Sequence, residues 1–285
     1  MTRSRIIIFT CLAMLAFASN SLLCRLALKH TAIDAASFTA IRLVSGAATL
    51  FILARLRNNN ALGRGNWWSA LSLFIYAAGF SFAYVNLPAA TGALLLFGSV
   101  QATMIGHGLY VGERFSRLQI IGLALACCGL ISLLLPGLSA PPLRGSLLML
   151  SAGLAWGIYS LRGKKSGDPI QVNAGNFLRA VPIAIVLSLL TLSTASFDMA
   201  GIGFAIVSGA IASGIGYAVW YAALPALKAT HAAIVQLSVP IIAAGGGVIF
   251  LSEPMTMRLV LASVAVLGGI ALIITAKTSA TKGAH

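Results

Sequence analysis

Acidic side chains are nearly missing from this 285-residue chain, in which five Asp and Glu stand against 19 Lys and Arg. Charged residues of both signs make up only 8%, where a soluble domain carries roughly a quarter. That scarcity excludes a water-facing surface around a soluble core. Together with 59% hydrophobic residues and a mean hydropathy of +0.97, it implies an integral membrane protein. Cysteine is scarce as well: Cys11, Cys24, Cys127 and Cys128 all lie inside apolar runs without metal-ligand spacing, which argues against a disulfide framework and against a zinc site. No carboxylates, histidines, or nucleophile and base form a catalytic cluster, so the reading is not an enzyme, with no cofactor and no metal. In a soluble protein the net charge of +14 would suggest nucleic acid. Here the basic residues sit in short segments between apolar runs, where they set topology, and no nucleic-acid partner is expected. The lipid bilayer is the expected partner, with a small-molecule substrate.

What the chain has in abundance is apolar sequence. A crossing takes about 20 apolar residues, and uncharged stretches run over 6–24, 65–112, 118–143, 145–161, 199–227, 229–252 and 259–276. The stretch 65–112 is too long for one helix and divides at Asn86-Leu87-Pro88, because proline disfavours helix at the residue before it. Pro225 divides the later region likewise. Two further crossings, about 35–54 and 171–192, each contain one arginine, Arg42 and Arg179. The expected fold is therefore all-α, with ten transmembrane helices. Assigning the loops alternately to the two faces puts 13 Lys and Arg on one side and four on the other, the four being Arg25, Lys29, Arg144 and Arg258. Because basic loops stay in the cytoplasm, both termini are expected there, in a multi-pass protein of the inner membrane. The first 18 residues also resemble a cleavable signal peptide, a reading that would leave nine crossings and upset the charge split.

The chain repeats itself. Gly79-Phe80, Tyr84 and Leu87-Pro88 match Gly216-Tyr217, Tyr221 and Leu224-Pro225 at one offset of 137, and Arg42 matches Arg179 at the same offset. Glu113 and Glu253 align at 140, as do Gly129 and Gly269, while Ala16-Phe17-Ala18 aligns with Ala155-Trp156-Gly157 at 139. Each copy holds five helices, giving an N-terminal repeat at 1–138 and a C-terminal repeat at 139–285, with the linker around Pro136–Pro142. Five is odd, so the second copy enters the membrane from the opposite side. Inverted-topology repeats commonly underlie alternating access around a site between the halves, which points to a transporter.

On these residues the chain resembles the drug/metabolite transporter superfamily, in its EamA-type branch of ten helices in two five-helix halves, over nearly its whole length. It is also similar to the bacterial aromatic amino-acid exporters of that branch, by overall pattern. The resemblance implies export of small amphipathic metabolites, amino acids including aromatic ones among them. The same architecture allows an importer or a multidrug exporter, and a non-transporting scaffold would need no polar residues at mid-helix. The oligomeric state stays open.

Within the helices, polar and aromatic residues near the middle are the candidates for substrate binding: Asn20, Tyr84, Phe97, Gln101, Trp156, Tyr159, Trp220, Tyr221 and Gln236. Asn20 and Tyr159 occupy equivalent places at an offset of 139. Arg42 and Arg179 either reach headgroups or backbone carbonyls, or else act as a gate or a contact for a substrate carboxylate. His107 either bonds a neighbouring helix or titrates in coupling. Glu113 and Glu253 read as structural pairs near loops, and since no carboxylate falls at mid-membrane, a carboxylate proton relay is not expected. Gly106, Gly108, Pro240, Gly245, Gly246 and Gly247 are candidate hinges, with close packing as the alternative.

Overall fold

The computed structural model describes residues 2–57, 64–112, 115–137, 140–163, 168–223, 226–227 and 235–282, with the side chains of the last helix described as far as Ala276. Among these residues there is no strand. The helices are α1 (Arg3–His30), α2 (Ala35–Arg57), α3 (Trp67–Tyr84), α4 (Ala89–Tyr110), α5 (Arg117–Leu134), α6 (Leu143–Gly163) and α7 (Pro169–Leu190), then α8 (Met199–Ala223), α9 (Ser238–Leu251) and α10 (Met257–Lys282). Seven of them, α1, α2, α4, α5, α7, α8 and α10, are long and apolar enough to cross a membrane. Outward faces carry Ile7, Leu12, Ile120, Leu125, Leu261 and Val264, all exposed. Such a surface suits hydrocarbon and not water.

Helix ends follow local chemistry. Pro88 stands at the start of α4 and separates it from α3, as the sequence predicts. Ser116 and Gln119 form a reciprocal capping box at α5. Asp34, Asp168 and Asp198 cap α2, α7 and α8 by accepting backbone N–H bonds. At Asp34 partial burial pushes the pKa up, but hydrogen bonds from Ser37, Ser196 and Ala36 outweigh it and hold the carboxyl below its ordinary value of 3.8. Four of the five acidic residues are thus accounted for as three caps and, at Glu253, an ion pair described below; Glu113 lies outside the described residues.

Two sequence expectations change here. Arg25, assigned to the loop after the first crossing, lies inside α1 and is 9% exposed. The helix runs on past it to His30 because Glu253 neutralises the buried charge. His107, read as lying well inside a helix, sits exposed in the last turn of α4.

Packing between helices has a symmetry of its own. α3 packs on α6 and α8 on α1; α4 packs on α6 and α9 on α1; α3 packs on α7 and α8 on α2. The pairs α2–α7, α4–α9 and α5–α10 also form. Exchanging each helix for the one five places away maps this set of pairs onto itself. The α5–α10 crossing is close: a Cβ at Gly122 would stand 2.6 Å from the Gly269 carbonyl oxygen, so glycines on the two helices let their backbones meet within one chain.

Candidate functional site

Residues four apart share a helix face, so Tyr76, Phe80 and Tyr84 stack along one side of α3, with ring centroids 5.5 and 4.7 Å apart. Facing them, α6 presents Trp156, 4.8 Å from Tyr76, and α8 presents Tyr217, 5.1 Å from Trp156. Phe17 of α1 closes the ring edge-on, 5.9 Å from Tyr217. Phe17, Tyr76, Phe80, Trp156 and Tyr217, with Asn20 and Phe97, line a cavity of about 20 Å³. That volume admits a water and no metabolite. Both halves of the chain supply the wall, and they do so at duplicated positions, since Phe17 aligns with Trp156 at 139 and Phe80 with Tyr217 at 137.

A polar network borders the same cavity. Asn20 donates to the Tyr76 hydroxyl at 3.3 Å and accepts from Ser208 at 2.6 Å. Arg42 is 2% exposed; its Nη2 donates to the Tyr76 hydroxyl at 3.0 Å and its Nε to Ser213 Oγ at 3.3 Å. Its guanidinium lies 5.2 Å from the Tyr76 ring centroid and 4.9 Å from that of Phe80, both cation–π contacts. The two serines come from the middle of α8, Ser208–Ile215, which is wound as π helix. Regular α winding at 100° per residue would turn residues five apart by about 140° from one another. The i→i+5 winding brings both toward the network instead, and π segments of this kind recur at functional sites.

Each end of the bundle is tied shut. At one end Arg25 Nε meets Glu253 Oε1 at 2.9 Å, and Arg25 Nη1 donates to the Tyr84 and Val85 carbonyls at 2.8 and 2.9 Å. Glu253 Oε2 also accepts the Ala89 N–H at 2.7 Å, so one ion pair joins α1, the end of α3, the start of α4 and the α9–α10 loop. A cavity of about 230 Å³, lined in part by Asn86, Pro88, Thr91 and Pro254, lies beside Glu253. At the other end Tyr159 donates to Asn173 and accepts from Asn176 at 3.4 Å. Asn176 in turn accepts the Asn66 N–H at 3.0 Å, and Arg162 donates to Ser69 and Asn66, both at 3.1 Å.

The sequence-predicted residues divide accordingly. Asn20, Phe97 and Trp156 line the central cavity, and Tyr159 stacks on Trp156 at 5.5 Å while holding α7. Tyr84 and Trp220 are buried behind the wall, Trp220 packing on Phe17 at 6.0 Å. Gln101 is buried on α4, half-buried Tyr221 lies on α8, and Gln236 stands just before the turn at Leu237; none of the three lines the cavity. Arg42 and Arg179 part company: Arg179 is half-buried and donates to the Gly175 carbonyl of its own helix at 2.9 Å. Among the hinge candidates, Gly246 lets Leu22 pack against the backbone and Gly247 leaves room for the Glu253 carboxylate, whereas a Cβ at Gly106 or Gly245 would meet nothing. Gly108 is buried on α4, and Pro240 lies in the first turn of α9, where its missing N–H costs nothing. Phe17, Tyr76, Phe80, Tyr217, Ser208 and Ser213 were not among the candidates. For Phe17, Phe80 and Tyr217 the duplicated strings themselves carried the signal.

A sequence profile of the EamA-like transporter family matches residues 4–135 and again 143–275. An uncharacterized protein of Pseudomonas aeruginosa is 58% identical over 95% of this chain and 94% of its own length. A probable amino-acid metabolite efflux pump of Salmonella typhimurium is 26% identical over 65% of this chain and 67% of its own. One solved protein structure is similar in fold with a TM-score of 0.67 at 18% identity, covering 95% of this chain and 98% of that one.

Proposed function

Because the chain belongs to the EamA-like transporter family, we propose that it exports small amphipathic metabolites, amino acids with apolar or aromatic side chains among them. Export proceeds by alternating access between two five-helix inverted repeats, 1–138 and 139–285, which cross a bacterial inner membrane ten times with both termini cytoplasmic. The observation that carries this reading is the aromatic cavity between the halves, walled by duplicated residues from each and tied shut at both ends. In this form the cavity excludes a metabolite, so loading requires one end to part. The exchange symmetry of the helix packing supports two related openings, one at each end. Tryptophan and tyrosine walls suit an apolar side chain, and Asn20 with its hydroxyl neighbours suits the polar end of an amino acid. The efflux-pump name of the Salmonella relative supports the substrate class.

Mutation of the wall tests the reading. Loss of an aromatic wall residue removes about 1.5 kcal/mol or more of contact, equivalent to about tenfold in affinity. Trp156→Ala, in the wall, and Tyr159→Ala, which removes the ring stacked behind Trp156, are each expected to lower phenylalanine efflux from proteoliposomes about tenfold at matched protein content. Trp67→Ala, at a residue 60% exposed on the outer face of α3, should leave it within about twofold. Equal losses in all three variants would remove the assignment of the cavity as the transport site.

A further inference from the structure

We infer that Arg42 is the anchor for a carboxylate group on the transported solute, so that the substrates are carboxylates with an apolar tail and not amines or neutral amides. The inference takes from the proposed function only the source of the ligand.

A guanidinium stays protonated at any physiological pH, and burying it without a counter-charge is costly. Arg42 is such a case. Its Nη1 has no hydrogen-bond partner, and its other contacts are two hydroxyls and two ring faces, none of which carries a negative charge. Among the described residues no carboxylate forms an ion pair with it; Asp34, Asp168 and Asp198 cap helices, and Glu253 is held by Arg25 and Ala89. The chain treats its other embedded cations differently. Arg25 is neutralised by Glu253, and Arg179, duplicated from the same position as Arg42, uses a backbone carbonyl. Arg42 alone of these three is both fully buried and unneutralised, and it stands directly behind two residues of the cavity wall, Tyr76 and Phe80.

A second unfilled donor lies at the same place. The Tyr217 hydroxyl is buried without a partner, and Tyr217 lines the cavity. Once the cavity widens, a carboxylate meets a cation with a spare N–H and a phenol with a spare O–H, a charge-assisted pairing stronger than one between neutral groups. An ammonium group has no carboxylate to bind there, although the Asn20 oxygen and the faces of Trp156 and Tyr76 accommodate it beside a bound carboxylate. An amine lacking the carboxylate would bring a second positive charge next to Arg42, which is unfavourable at low dielectric.

The test uses the full-length protein, first in detergent and then in proteoliposomes. Thermal unfolding is measured with 3-phenylpropionate, phenylalaninamide and sodium chloride at equal ionic strength. 3-Phenylpropionate is expected to raise Tm, with no shift from the amide or from chloride. The shift should vanish in Arg42→Gln and persist in reduced form in Arg42→Lys. In liposomes wild type should pass phenylalanine at least about tenfold faster than phenylalaninamide, roughly 1.4 kcal/mol of discrimination. Equal effects of acid and amide in wild type would overturn the inference even if the Arg42 variants fail to fold. A shift reproduced by chloride would overturn it in favour of a resident inorganic anion, and a shift surviving in Arg42→Gln would place the anchor elsewhere. Stabilisation by 3-phenylpropionate that is lost in Arg42→Gln, without flux of any amino acid, would keep the anion anchor and remove the amino-acid reading.

Discussion

Glu253→Ala is expected to lower the stability of the detergent-solubilised protein by about 3–5 kcal/mol, the range for breaking a buried ion pair from one side. The carboxylate is 6% exposed and serves two partners, Arg25 at 2.9 Å and the Ala89 N–H at 2.7 Å. Removing it leaves a cation in α1 with only the Tyr84 and Val85 carbonyls for company and an uncapped first turn on α4. The carbonyl end of α3 offsets part of the loss, because helix C-termini favour positive charge. The double variant Arg25→Met/Glu253→Met removes both charges and should cost much less than either single change. A cycle over wild type, Arg25→Met, Glu253→Met and the double variant therefore shows strong coupling. If Glu253→Ala costs less than about 1 kcal/mol, the pair behaves as a solvated surface bridge and does not tie this end of the bundle.

The other large effect belongs to Gly209, inside the π segment of α8. A Cβ there would overlap Ser45 Oγ and the Arg42 carbonyl oxygen, and would stand 2.9 Å from the Arg42 carbonyl carbon. A Ser45 rotamer can withdraw its hydroxyl, but the two Arg42 atoms are backbone of α2, so no rotamer relieves the clash with them. Either α2 moves away or α8 rewinds, and each response displaces Arg42 from Ser213 and Ser208 from Asn20. Overpacking of this kind costs about 1–3 kcal/mol and more when backbone must shift. Gly209→Ala should therefore lower phenylalanine efflux by more than about tenfold, since angstrom-scale displacements in a site suffice for losses of that size. Gly203→Ala, on the same helix with open space around a Cβ, is the control and should transport normally. Normal transport in Gly209→Ala would mean that α2 and α8 are not held in this register during transport.

Much of this architecture is legible in the sequence because the membrane imposes simple rules. Long uncharged runs became helices, and Pro88 broke the longest of them at the predicted place. The duplicated strings also carried more than topology, since Phe17, Trp156, Phe80 and Tyr217 all reached the central cavity. What the sequence hid was decided by distant partners. Arg25 looks like a loop residue until Glu253, 228 positions away, is brought beside it. Arg42 and Arg179 have the same place in the repeat, yet Arg179 bonds the Gly175 carbonyl of its own helix while Arg42 turns inward to Tyr76 of α3 and Ser213 of α8. The π winding that delivers Ser208 and Ser213 leaves no periodic trace, because Ser208–Ile215 mixes small and apolar residues that fit either winding. Candidates such as Gln101, Tyr221 and Gln236 rest on residue type and depth in a helix, and neither says which face a residue takes.

The central claim is that the aromatic cavity between the halves carries amphipathic amino acids across the membrane. Proteoliposomes holding the purified protein and preloaded with all twenty amino acids measure it most directly, by the composition left inside after dilution without a pH gradient. The account predicts selective loss of phenylalanine, tyrosine, tryptophan and the large aliphatic amino acids, with lysine and arginine retained. Retention of all twenty by a folded preparation, or a loss that ignores side-chain chemistry, would contradict it.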